Sequence, residues 1–177
     1  MQILNTAQKY VYIVSPYLII DNEMVTALTF AARRGVDVKI ILPGIPDKKA
    51  VYAIARTYYP QLLAAGIKLY EYTPGFLHAK EFVSDDCKAV VGTINLDFRS
   101  LYEHFECGTY IYKNPVVSDI EADFKATLKK CRKIDYQYYV EDEYIEVLIR
   151  KPDGEEWLLE IDKDPDEDLG IVFENGL

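Results

Sequence analysis

The sequence predicts a mixed α/β domain, a largely parallel sheet flanked by helices, with a small β-hairpin appended near its C-terminal end. Three observations predict it. Short runs of β-branched and aromatic residues alternate with longer amphipathic segments over the first 72 residues. That order, strand-helix-strand-helix-strand, is the pattern of parallel strands joined by right-handed crossovers. Half of the 177 residues are hydrophobic and 28% are charged, which supports a packed core and excludes global disorder. Finally, charge is unevenly divided: residues 1–133 hold 17 Lys+Arg against 14 Asp+Glu, whereas residues 134–177 hold 3 against 15. The net charge of −9 therefore belongs to the tail, and a domain boundary is placed near Lys133.

The elements follow in order. YVYIVS (10–15) reads as a buried strand, closed by Pro16. Asp21 or Asn22 caps a helix that sets Met24, Val25, Leu28 and Ala31 on one face, and Gly35 stops it. VDVKIILP (36–43) is a second strand. Asp47 is expected to cap a second helix, which Pro60 must break or restart before Gly66 ends it. IKLYEY (67–72) is a third strand. Leu77–Val83 and Lys88–Val91 read as two more, joined by a polar turn at Ser84–Cys87, and Phe105–Tyr112 as another. Val116–Lys133 has Ile120, Phe124 and Leu128 at helical spacing and a basic last turn suited to a helix dipole. In the tail, Tyr144–Arg150 and Glu155–Ile161 flank Lys151-Pro152-Asp153-Gly154, a hairpin turn by composition.

Several classes drop out. No apolar run approaches the roughly 18 residues of a membrane-spanning helix. The opening segment MQILNTAQKYVYIVS lacks the parts of a signal peptide. Three cysteines without a CxxC spacing argue against a disulfide framework or zinc ribbon and fit a reducing cytoplasm. The fifteen tyrosines fall mostly in strands or on helix faces, where core packing accounts for them.

The chemistry concentrates between His78 and Glu106. HAKEFVSD places His78, Lys80 and Asp85 in the pattern H-x-K-x4-D, and after six residues GTIN follows, with Gly92, Thr93 and Asn95. A phosphodiester carries a charge that repels nucleophiles, so its site needs cationic or amide donors and a nucleophile usable near neutral pH. Imidazole, with an ordinary pKa of about 6.5, is such a nucleophile. An attack by it splits one difficult displacement into two easier ones. Lys80 can neutralise a phosphoryl oxygen and Asn95 can donate to one through its amide.

This pattern matches the HKD motif of the phospholipase D superfamily at every spacing. PGFLHAKEFVSDDCKAVVGTINLDFRSLYEHFE resembles the C-terminal HKD half of bacterial cardiolipin synthases, as does SPYLIIDNEMVTALTFAARRGVDVKIILPGIPDKKAV before it. The resemblance spans roughly residues 1–130 and implies a phospholipase D-like fold. It implies transfer of a phosphatidyl group between phosphatidylglycerols through a phosphohistidine, without metal or cofactor. It also implies a cytoplasmic chain with peripheral contact at the inner membrane. His78, Lys80 and Asn95 are then the site, and Glu106 holds the far ring nitrogen of His78. Asp85 is a motif position with a structural job at a turn, and Thr93 is either a turn hydroxyl or a phosphate contact. Asp97 and Arg99 read as a loop ion pair, and His104 as a partly exposed residue where Asn is usual in the family.

Enzymes of this family use two HKD motifs, one histidine attacking phosphorus and the other serving as acid and base. This chain holds one, of the C-terminal type, so a second half is expected, from a homodimer or a separate chain. Two other readings stay open: a homodimeric HKD nuclease and a non-catalytic orphan half. Against nucleic acid stands the near-balanced charge of residues 1–133, with no basic run beyond KKCRK. The tail, from KIDYQYYV onward, resembles part of a PDZ-like segment of radical-SAM-type iron–sulfur proteins, without their cluster cysteines.

Overall fold

Tyr10–Val14 (β1) is buried at every position, as a continuous apolar run must be when both faces of a sheet are covered. The protein's structure, a computed structural model, describes residues 1–134 throughout, and the strand backbone at 136–141, 144–150 and 156–162. The chain divides into two compact units, Met1–Lys133 and Ile134–Leu177.

In the first unit Gln2–Thr6 (α1) precedes β1, and Leu18–Ile19 (β2) and Asn22–Arg33 (α2) follow it. The Asp21 side chain caps α2, accepting from the Met24 N–H at 2.8 Å. Asp37–Pro43 (β3), Lys49–Thr57 (α3), Tyr59–Ala64 (α4) and Lys68–Tyr72 (β4) come next. β3 pairs in parallel with β1, and β4 with β3. Pro60 lies in the first turn of α4, where its missing N–H costs nothing, so the helix restarts there. Asp47, in contrast to the expectation, does not cap α3. Lys48 holds the N-cap position without a side-chain bond. One residue further out, Asp47 accepts from the Tyr17 hydroxyl instead, at 2.6 Å.

Antiparallel strands complete the sheet. Glu81–Ser84 (β5) and Lys88–Gly92 (β6) form a hairpin, Leu96–Asp97 (β7) and Phe98–Tyr102 (α5) follow, then Gly108–Tyr112 (β8), Val116–Leu128 (α6) and Cys131–Lys133 (β9). The seven-stranded order is β8-β6-β5-β1-β3-β4-β9. Within this sheet the parallel pairings are β1–β3 and β3–β4, and the other four are antiparallel, so the mixed α/β architecture is the predicted one but the sheet is less parallel than expected. β2 and β7 form a separate short parallel ladder.

Three boundaries move. The strand expected from Leu77 starts at Glu81, and the one expected from Phe105 starts at Gly108. The last helix stops at Leu128, and Cys131–Lys133 pairs antiparallel with β4. In that last pairing Arg132 faces Glu71, whose side chain is 1% exposed. Arg132 grips that carboxylate with two nitrogens, at 2.6 and 2.9 Å, as a buried carboxylate requires.

α6 packs on β1, β4, β5 and β6. Alternation along β1 turns Tyr10, Tyr12 and Val14 toward a core cluster that includes Val117 and Phe124 of α6. The rings of Tyr12 and Phe124 stack at 4.8 Å.

In the second unit, Tyr136–Glu141 (β10), Tyr144–Arg150 (β11) and Glu156–Asp162 (β12) form an antiparallel sheet in that order. The two strands expected of the hairpin pair with each other, and β10 adds an unanticipated third. The turn at 151–154 and the apolar run beyond 162 lie outside the described residues. Among the described residues, no helix is long and apolar enough to cross a membrane.

Candidate active site

Antiparallel pairing assembles the site. Glu81 faces Val91 across the β5–β6 ladder, so the residues leading into β5 and those leaving β6 emerge at the same end of the sheet. Gly92 then faces Gly108 across β6–β8, which brings the residues before β8 to that end as well. His78 and Lys80, Thr93 and Asn95, and Glu106 therefore converge from three stretches of chain. The first four line one open cleft of about 490 Å³, floored by Glu81, Val91 and Gly92. Glycine at 92 is a packing requirement: a Cβ there would stand 2.1 Å from the Cys107 carbonyl oxygen.

His78 is exposed, and its ring lies against two aromatic rings, Phe76 at 5.3 Å and Tyr17 at 6.5 Å. Lys80 donates to the His78 carbonyl at 2.6 Å. Partial burial lowers the Lys80 pKa, while the carboxylates of Glu106 and Asp97 work against that shift. The ammonium is thus held between a desolvating cleft and two negative charges.

Glu106 departs from its expected partner. Its carboxylate accepts from the hydroxyls of Thr93 and Ser100 and lies 3.6 Å from Nδ1 of His104. Among the described residues it makes no hydrogen bond to His78. The Thr93 and Ser100 bonds hold its pKa below the ordinary carboxylate value, and the nearby His104 adds to this. Thr93 also accepts from the Cys107 N–H at 3.0 Å, so its hydroxyl is committed to the turn. Nδ2 of Asn95 donates to Ser100 Oγ at 3.1 Å, and its Oδ1 is buried without a partner among the described residues. A polar chain Asn95–Ser100–Glu106–Thr93 thus runs along the cleft.

Ser100 is the member that sequence spacing did not single out. The turn of α5 carries it back over Asn95, and its signal is the spacing Asp97-x-x-Ser100, where Asp97 accepts from the Ser100 N–H at 2.7 Å. That bond also corrects the expected Asp97–Arg99 pair, since Arg99 pairs with Glu103 at 3.8 Å. His104, read as a partly exposed residue, faces the Glu106 carboxylate.

Asp85 lies away from the cleft. β5 separates it from Lys80, and it turns at positive φ (54°) in the β5–β6 hairpin. Its carboxylate accepts from the backbone N–H groups of Gln8, Lys9 and Tyr10 at 2.9 to 3.1 Å. Burial raises its pKa, but these three donors outweigh burial and bring the value below the ordinary one. It pins the entry of β1 to the hairpin.

Among the described residues, no group of three or more His, Cys, Asp or Glu side chains is placed to hold a metal ion.

The family described as the cardiolipin synthase PLD-like domain matches residues 1–128. The chain belongs to this family. As a PLD-like domain it is 42% identical over 136 residues to a cardiolipin synthase of Geobacillus sp., covering 77% of this chain and 27% of that protein. It is 65% identical over 134 residues to an uncharacterized protein of Streptococcus mutans, covering 76% of this chain and 29% of that one. The chain thus spans under a third of the length of these relatives. Among solved structures, Nuc of Salmonella typhimurium, a phospholipase D family member, shares the fold of this PLD-like domain. The TM-score is 0.64 at 19% identity, covering 75% of this chain and 86% of Nuc. These matches lend no support to the PDZ-like resemblance of the tail.

Proposed function

We propose that this chain is one half of a phosphatidyltransferase that moves a phosphatidyl group between phosphatidylglycerols. What supports the reading is that His78, Lys80 and Asn95, separated in sequence, line one open cleft with a carboxylate network beside it.

One neutral His78 imidazole attacks phosphorus, and the P–O bond to glycerol breaks. The leaving alkoxide takes a proton from a second imidazolium. The hydroxyl of an incoming phosphatidylglycerol then gives its proton to that second imidazole as its oxygen attacks phosphorus, and the P–N bond breaks to release the first histidine neutral. Lys80 compensates charge on the phosphoryl oxygens, and Glu106 and Asp97 favour its ammonium form. Asn95, which lines the same cleft, is read as the amide donor to a phosphoryl oxygen. The second histidine is His78 of another copy, because an isologous contact between identical open clefts satisfies both at once. The lipid substrate brings the chain to the membrane surface.

The experiment is turnover of phosphatidylglycerol vesicles by the purified chain, read as glycerol release and formation of the two-phosphate lipid. Duplex and single-stranded DNA serve as parallel substrates. Lipid transfer supports the proposal. DNA cleavage without lipid transfer replaces it with the nuclease reading, and no turnover of either leaves a non-catalytic half.

A further inference from the structure

The ring of His78 is held by neighbours that the steps above do not use. Phe76 stacks on it with an interplanar angle of 26°, and Tyr17 meets it edge-on at 80°. Both centroid separations lie within the range where aromatic pairs attract. Phe76 is 49% exposed and lies two residues from His78 on the same loop, so of the two rings only Tyr17 comes from another part of the fold.

Tyr17 is anchored on two sides. Ser15, fully buried at the end of β1, donates its hydroxyl proton to the Tyr17 carbonyl at 2.8 Å. Ser15 Oγ in turn accepts from the Leu96 N–H at 2.9 Å, one residue beyond Asn95. At its far end the phenol donates to Asp47 Oδ2 at 2.6 Å. That bond, with desolvation and the Asp47 charge, pushes the phenol pKa up to about 12, so it stays a neutral donor throughout the neutral range. The loop before α3, through the Tyr17 phenol, and the end of β1 with the Asn95 segment, through Ser15 and the Tyr17 backbone, thereby meet at one residue whose ring lies edge-on to His78. This also accounts for Asp47 leaving the cap of α3.

We propose that Tyr17, anchored by Ser15 and Asp47, is the positioning residue that orients the His78 ring in the cleft. The proposal rests on the reading of His78 as the reacting group. Tyr17 acts through the imidazole and not on the substrate. Without it, an exposed histidine on a loop populates a second χ1 well.

The chain has two histidines, so histidine-selective isotope labelling gives two ring systems, assigned with His104→Gln. Three-bond couplings report the χ1 populations of each. In the unaltered chain His78 occupies one rotamer. Tyr17→Leu shifts its rotamer ratio by about 2- to 10-fold toward the second well, the size expected for losing one aromatic contact, while His104 is unchanged. Asp47→Ala, which cuts only the phenol anchor, moves the ratio in the same direction. Asp47→Asn keeps an acceptor for the phenol and restores it. Unchanged His78 couplings in both Tyr17→Leu and Asp47→Ala overturn the proposal, as does equal loosening at His104. The measurement needs no turnover. A chain that never forms a phosphohistidine counts against the proposed function and leaves this result standing.

Discussion

Two histidines sit at the same end of the sheet with different surroundings. His78 lines the cleft with Lys80, and its ring has aromatic neighbours. His104 lies outside the lining, with its Nδ1 facing Glu106. Replacing His78 by Ala is expected to lower any phosphodiester turnover by roughly 10³-fold or more. His104→Ala leaves Glu106 held by Thr93 and Ser100, so the expected loss is under about 10-fold. Steady-state kinetics of both variants check this, and equal losses contradict it. A second residue-scale expectation concerns Glu81, which is 8% exposed. Burial, with help from Asp123, raises its pKa to about 7 from an ordinary 4.5. A raised pKa means that its contribution to stability is full below the ordinary value and is lost as pH rises through about 7. Glu81→Gln removes this dependence. Thermal unfolding midpoints of the two proteins therefore converge near pH 4 and separate by pH 8, with the variant higher; parallel curves contradict the assignment. That His78, Lys80, Thr93 and Asn95 come together was legible in the motif resemblance, because H-x-K and G-T-x-N lie at the ends of two paired strands. The partners of Glu106 were not, because which carboxylate meets which ring depends on how the α5 turn folds back.

At the scale of elements, the β5–β6–β8 ladder does most to build the cleft, and its tightest point is Gly92 against Cys107. Gly92→Ala forces a backbone oxygen to move, since the nearest atom to the new Cβ is that carbonyl at 2.1 Å. The expected cost is about 2–3 kcal/mol. Gly108→Ala meets the far end of the Ile94 side chain at 2.9 Å, which can swing away, and costs under about 1 kcal/mol. Denaturant unfolding of the pair checks the difference, and equal destabilisation contradicts it. β1, α2, β3 and β4 were readable because apolar periodicity, the Asp21 cap and Gly35 all agree locally. β9 was not. Residues 131–133 continue a helical pattern, and only a buried Glu71, far away in sequence, makes Arg132 worth more in a strand. The start of β5 was misplaced for a related reason: residues 77–80 look like a strand by composition but run past the end of the ladder, where the cleft needs them.

For the whole molecule, all the proposed site residues lie in the first unit, while 15 of the 29 carboxylates lie in residues 134–177. A chain ending at Lys133 should bind vanadate as well as the full chain, or more tightly at low salt, because an acidic tail repels anions. A titration of both forms checks this, and a large loss of affinity in a folded truncation contradicts it. The central claim is that identical halves share one phosphate between two His78 side chains, only one of which can attack it. It is tested most directly by counting adducts. The chain is mixed with phosphatidylglycerol, quenched in neutral denaturant and analysed by mass spectrometry of the peptide that carries His78. The account predicts a covalent adduct on His78 at about one per two chains, absent in His78→Ala. An adduct on every chain, or lipid transfer with none on His78, would contradict it.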